Sequence, residues 1–155
     1  MKTATYTPNA NLLDQLLDAI CVVDRTGRFV FVSAACEQIF GYRPDEMVGQ
    51  VMIDMVHPDD RARTLDAAER IMAGTHQPRF ENRYLRKDGQ VVHILWSARW
   101  SADDNVRVAV AHDITERKRN ETLKTVLYGI SEAAQCAKDL PGLFAQVQQI
   151  VVEML

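Results

Sequence analysis

The stretch VRVAVAHDITERKRNETLKTVL, residues 106–127, joins two kinds of structure without punctuation. Its first half alternates Val106, Val108 and Val110, the period-two signature of a β-strand. Its second half is charged and then amphipathic at helical spacing. Neither Gly nor Pro stands between them. A strand therefore runs directly into a helix, and a rigid connection of that kind transmits a displacement.

Upstream, the same period of two recurs twice. VVHILWSARW (91–100) and PRFENRYLRK (78–87) read as strands, joined by a tight turn at Asp88-Gly89, and ADDN (102–105) turns the chain into the strand at 106. Near residue 78 the period changes from 3.6 to 2. Before that point lies VMIDMVHPDDRARTLDAAERIMAG (51–74), a helix with His57 and Pro58 as cap and first position, Asp59 and Asp60 at its positive end, and a stop near Gly74. Two shorter helices precede it: AACEQIF (34–40), capped by Ser33 and ended by Gly41, and PDEMVG (44–49), opened by Pro44 and ended by Gly49. Earlier still, ICVV (20–23) and RFVFV (28–32) flank DRTG as a hairpin. Five strands with short helices between them predict an α+β fold: a five-stranded antiparallel sheet with helices over one face.

Both ends of the chain are helical in pattern. After a flexible N-terminus, residues 1–10, NLLDQLLDA (11–19) gathers Leu12, Leu13, Leu16 and Leu17 on one side. Downstream, residues 115–138 place Leu123, Val126, Ile130 and Ala133 at the steps of a coiled-coil seam. Asp139-Leu140-Pro141-Gly142 breaks that seam, and residues 139–155 carry a second amphipathic helix. Its uncapped apolar end reads as a cut in a longer polypeptide.

Composition excludes several classes. The apolar fraction of 47%, the charged fraction of 25% and a net charge of −3 describe a globular domain without a basic nucleic-acid footprint. No stretch approaches the ~20 apolar residues of a membrane span, and the N-terminus lacks a secretory signal. Cys21, Cys36 and Cys136 are odd in number with no close pairing in sequence, which argues for a reducing compartment and a cytoplasmic chain. No phosphate-binding loop occurs, and His57, His76, His93 and His112 are scattered. Cys36, His57, Asp59 and Asp60 fit better as a core thiol, a cap and dipole partners than as a catalytic set. The chain reads as non-catalytic.

The pieces VVDRTGRFVFVS, IFGYRPDEMVGQ, VHPDDR, FENRYLRKDG and HDITERK, in this order and spacing, resemble the PAS sensory-domain family over about residues 12–120, with a PAS core at 20–114. The tail from Leu127 is similar to the opening helix of a GAF domain. The resemblance implies that Asp113-Ile114-Thr115 is the junction through which a signal passes to the outgoing helix, with Asp113 holding it by a charge-assisted bond. It implies a cytoplasmic regulatory domain of a bacterial signalling protein, with a histidine kinase or cyclic-di-GMP enzyme as output in the same polypeptide. Arg43 departs from the family's small hydroxyl cap. A haem- or flavin-dependent sensor is the alternative, but residues 59–73 hold no histidine and the flavin branch's Asn-Cys-Arg-Phe-Leu is absent.

By alternation, Val92, Ile94, Trp96, Ala98 and Trp100 share an inward face, with His93 on the other. The resemblance places Asn82 and Tyr84 on the same concave side, with Met47, Met52 and Met55 available for the opposite wall. These residues bound either a small-molecule pocket or a core filled by Trp96 and Trp100, and apolar stripes are usually core. No cofactor is expected; an unidentified small molecule is the occupant left open. The outer face, with Leu95, Ala109 and Ala111, is expected to receive the N-terminal leucines, from the same chain or from a second copy, so a homodimer is expected.

Overall fold

The computed structural model describes residues 16–75, 77–136 and 140–154. The chain divides after Ile114 into two compact units. In the first, β1 (Ala19–Asp24), β2 (Phe29–Val32), β3 (Gln77–Leu85), β4 (Val91–Ser101) and β5 (Val106–Asp113) form one antiparallel sheet in the order β2-β1-β5-β4-β3. The expected α+β sheet is thus present, and β5 is its central strand.

Between β2 and β3 come α1 (Ala35–Phe40), α2 (Pro44–Met47), α3 (Met52–Met55), a 3₁₀ turn (Pro58–Asp60) and α4 (Arg61–Met72). Gly74, at φ 87, ends α4. The Thr75 N–H bonds to the Arg70 carbonyl and the Gly74 N–H to that of Ile71, a Schellman closure that only a left-handed residue permits. The inter-helix segments also cover both edges of the sheet. Gly49 and Gln50 exchange backbone hydrogen bonds with Phe29 of β2, and Val56 and His57 pair with Tyr84 and Arg83 of β3. Edge groups that would otherwise recruit another strand are thereby occupied.

Several local expectations change. Ser33 does not cap α1; its hydroxyl accepts the Ile20 N–H at 2.9 Å and closes the β1–β2 hairpin. Arg43 contributes no side-chain cap to α2, but Glu46 accepts the Arg43 backbone N–H at 2.9 Å and bonds Lys87 Nζ at 2.6 Å. His57 does cap, accepting the Asp59 N–H through Nδ1. The expected helix at 11–19 does not extend through Leu16–Asp18, because Ala19 and Ile20 are already paired with Ala111 and Val110 of β5. Residues 1–15, including Leu12 and Leu13, lie outside the described residues.

The second unit is a pair of helices, α5 (Thr115–Cys136) and α6 (Leu140–Met154), packed on each other. The chain break is shorter than expected: Leu140, Pro141 and Gly142 already belong to α6, with Pro141 in the first turn where no N–H partner is needed. Asp139 lies outside the described residues. On α5, Val126, Gly129, Ile130 and Ala133 are the more buried positions, whereas Leu123 and Leu127 are exposed. A Cβ on Gly129 would stand 3.3 Å from Ile150, so the absent side chain admits α6 closely.

Candidate functional site

Under α4, the inner face of the sheet bounds a cavity of about 40 Å³. Alanines make the space. Ala67 and Ala68 of α4 face Ala98 of β4 and Ala109 of β5 across it. Thr64 and Ile71 complete the helical wall, and Phe80, Asn82, Tyr84 and Trp96 the β3–β4 side. Cys21, Val23, Phe29 and Met52 close the end over β1 and β2.

A hydrogen-bond chain fixes the β3 side. Trp96 Nε1–H donates to Asn82 Oδ1 at 2.8 Å, Asn82 Nδ2–H donates to Thr64 Oγ1 at 3.0 Å, and the Thr64 hydroxyl donates to the Asp60 carbonyl at 2.7 Å. Asn82, 3% exposed, is thus satisfied within the protein. Trp96, Tyr84 and Phe40 form an aromatic cluster with ring centroids 5.3–6.3 Å apart. Trp96 faces inward as alternation requires. Trp100 does not join the core; it lies half-buried at the sheet end, with the Arg25 guanidinium 5.9 Å from its ring. Of the two tryptophans expected to fill the space only Trp96 enters it, and the cavity remains beside its ring.

Asp60 is also more than a dipole partner. It is buried, and its carboxylate accepts the Arg83 backbone N–H at 2.8 Å and both Nε–H and Nη2–H of that side chain, at 3.1 and 2.7 Å. Arg63 approaches at 3.2 Å. The Arg83 hydrogen bonds hold its carboxyl well below the usual carboxylate range. The start of α4 is thereby clamped to β3, which keeps the helix over the cavity.

Of the residues expected to line a pocket, Met52, Asn82, Tyr84 and Trp96 do so. Met47 and Met55 do not; they border a surface groove beside Tyr42, Glu46 and Lys87 because α2 and the end of α3 sit toward that side. Ile94 is fully buried in the core, away from the cavity. The expected orientation of β5 is reversed. Ala109 and Ala111 face inward, and Val108 and Val110 face out. With them comes Arg107, a lining residue that alternation alone missed. The hairpin register contains the signal: Trp96 pairs with Ala111, Ala98 with Ala109 and Trp100 with Arg107, and directly paired residues share a face.

Arg107 is only 8% exposed. Its Nη2–H reaches Met52 Sδ at 2.7 Å, a neutral acceptor. Burial lowers its pKa, with the Tyr84 hydroxyl and Cys21 thiol as its electrostatic neighbours. Burial in turn pushes the Tyr84 phenol up, so it stays protonated. Cys21 Sγ lies 3.7 Å from Cys36 Sγ, so the two buried thiols do pair in space, and their hydrogen bond and burial raise the Cys21 pKa. Among the described residues, no group of three or more metal-ligating side chains occurs, and no helix is long and apolar enough to cross a membrane.

At the junction, Asp113 ends β5 opposite Ile94, and Thr115 begins α5. Between them Ile114 is 3% exposed and donates its N–H to the His93 carbonyl at 2.9 Å.

The PAS fold matches residues 9–114, and the chain belongs to that family. White collar 2 protein of Neurospora crassa is 35% identical over 81 residues, 52% of this chain and 15% of that protein. The chain thus spans a small part of this curated relative's length. A sensory box histidine kinase/response regulator from Burkholderia thailandensis is similar in structure, with TM-score 0.58 and 25% identity over 72% of this chain and 87% of that one. The RpfR quorum-sensing receptor PAS domain of Cronobacter turicensis, solved in complex with BDSF, matches at TM-score 0.58 and 16% identity, over 65% and 97% of the two chains. The chain is a PAS sensory domain akin to those of histidine kinases.

Proposed function

We propose that this domain is a cytoplasmic regulatory module of a bacterial signalling protein, that it works as a homodimer, and that it passes a signal through Asp113-Ile114-Thr115 to α5 and an output enzyme, a histidine kinase or cyclic-di-GMP enzyme. The observation that carries this reading is the direct passage from β5 to α5. One buried residue, Ile114, separates strand from helix, and its N–H remains in the sheet ladder. Displacement of the central strand therefore reaches the helix without a turn to absorb it. The outward Phe31, Val108 and Val110, 43%, 41% and 37% exposed, support association of the sheet's outer face. The Leu123 side of α5, exposed in this chain, supports pairing with a second copy.

Asp113→Asn in the full-length protein tests the junction. The substitution keeps shape and removes charge. The expected outcome is altered output with an unchanged melting temperature; output and stimulus response equal to wild type would reduce Asp113 to a helix cap. A haem- or flavin-dependent sensor would colour the protein, so an absorption spectrum of the purified chain separates that alternative from a cofactor-free module.

A further inference from the structure

Arg107 is a buried cation for which the described residues supply no anion. No carboxylate bonds it, and the groups felt by its charge are Tyr84 and Cys21, both held neutral. A guanidinium carries five N–H donors, and one of them is directed at a thioether. Buried charges are ordinarily paired, because desolvation without a counter-charge is costly. Here the charge lines a cavity whose remaining walls are mostly apolar.

We infer that the cavity is a binding site for a short aliphatic monocarboxylate, its carboxylate on the Arg107 guanidinium and the Tyr84 hydroxyl and its alkyl body among Ala67, Ile71, Phe80 and Ala98. The inference rests on the sensory reading only for its biological use, since binding itself is a property of the domain.

Charge, shape and size select this class. One guanidinium balances one negative charge, and its fork matches the two oxygens of a planar carboxylate. A phosphate dianion would bring a second charge and further oxygens into walls that hold no second cation among the lining residues. A neutral amide or alcohol would leave the charge unbalanced. A space of about 40 Å³ equals about three water-sized volumes, which suits an acid of roughly two to four carbons. Ile71 and Ala98 also border the adjoining groove at the end of α4, so a longer chain has a direction in which to extend.

The Asn82 side chain bonds Trp96 and Thr64 and also meets the Tyr84 hydroxyl, so it orients both the wall and the phenol, and Arg107 and Tyr84 are the pair a carboxylate would meet. The thioether of Met52 sits where a carboxylate oxygen would compete for Nη2–H. Binding therefore displaces a flexible methionine rather than breaking an ion pair.

The test titrates the full chain with acetate, propionate, butyrate and hexanoate, with propionamide, 1-propanol and inorganic phosphate as controls, by calorimetry and by amide chemical shifts. Saturable binding of the short acids with an optimum in chain length, and none of propionamide, propanol or phosphate, is expected. Arg107→Met should weaken the best acid at least tenfold while raising the melting temperature of the free protein, since it removes an unbalanced buried charge. A merely structural arginine would lower that temperature on replacement. Tyr84→Phe, which preserves the core, should weaken binding severalfold and serves if Arg107→Met fails to fold. Equal affinity in wild type and both variants, or no saturable binding of any acid, overturns the inference. The sensory reading fails separately: an acid that binds through Arg107 but leaves the output of the full-length protein unchanged would refute signalling and retain the site.

Discussion

β4 and β5 lie side by side in one sheet, both alternate, and both bury one face, yet they bury opposite kinds of face. β4 turns its large apolar residues inward: Val92, Ile94 and Trp96. β5 turns Arg107, Ala109 and Ala111 inward and leaves two valines outside. Alternation states which residues share a face; the volume already present on the neighbouring strand decides which face is needed inside. Opposite Trp96, an alanine leaves room for the indole, and further along Ala98 and Ala109 leave room for a cavity. A valine at those positions would crowd the ring or fill the space.

The largest expected effect is on the β4 side. Trp96→Ala removes an indole that packs on Phe40 and Tyr84 and donates to Asn82, and it should cost about 3–5 kcal/mol in denaturant unfolding. That is a large share of the stability of a domain this size. An unchanged midpoint would place the ring outside and break the comparison at its first term.

The roof over both strands comes next. Asp60→Asn weakens the charge-assisted bonds to Arg83 and should cost about 1.5–3 kcal/mol near neutral pH. The pH dependence has a definite sign. The folded-state carboxyl titrates below its unfolded value, so its contribution is present above about pH 4 and is lost as pH falls through the folded pKa. Acid unfolding of the wild type should therefore be steeper than that of Asp60→Asn. Parallel acid curves would show that the clamp contributes no linkage.

Smaller effects separate the two faces of β5 directly. Ala111→Leu forces added volume against Trp96 and should cost about 1–3 kcal/mol. Val110→Leu, one residue away and outward, should stay within about 0.5 kcal/mol. The reverse order would mean that the strand is registered one residue differently.

Much of this arrangement was legible in the residues. The change of period near residue 78, the Asp88-Gly89 turn, the glycines ending α1 and α4, and the run from Asp113 into Thr115 each follow from local chemistry. Met52, Asn82, Tyr84 and Trp96 line the cavity. Arg107 was not legible as a lining residue, because a charged residue between valines reads as an outward position. Only counting the register back from the 102–105 turn sets it beside Trp100. Local pattern makes Ser33 a cap and Asp60 a dipole partner, since each stands at a helix start; their long-range partners, Ile20 and Arg83, are invisible to it.

What the sequence determined by itself is therefore the sheet, the family, the position of the strand–helix junction and the inward face of β4, since each depends on periodicity or on residues adjacent in the chain. What only the tertiary structure decided is which face of β5 is buried, that the alanines of α4, β4 and β5 converge on unfilled space, and that Arg107 stands there without an acid. These depend on side-chain volumes and charges meeting across elements far apart in sequence, and a free-energy balance made between neighbouring strands and a helix cannot be read from any one of them.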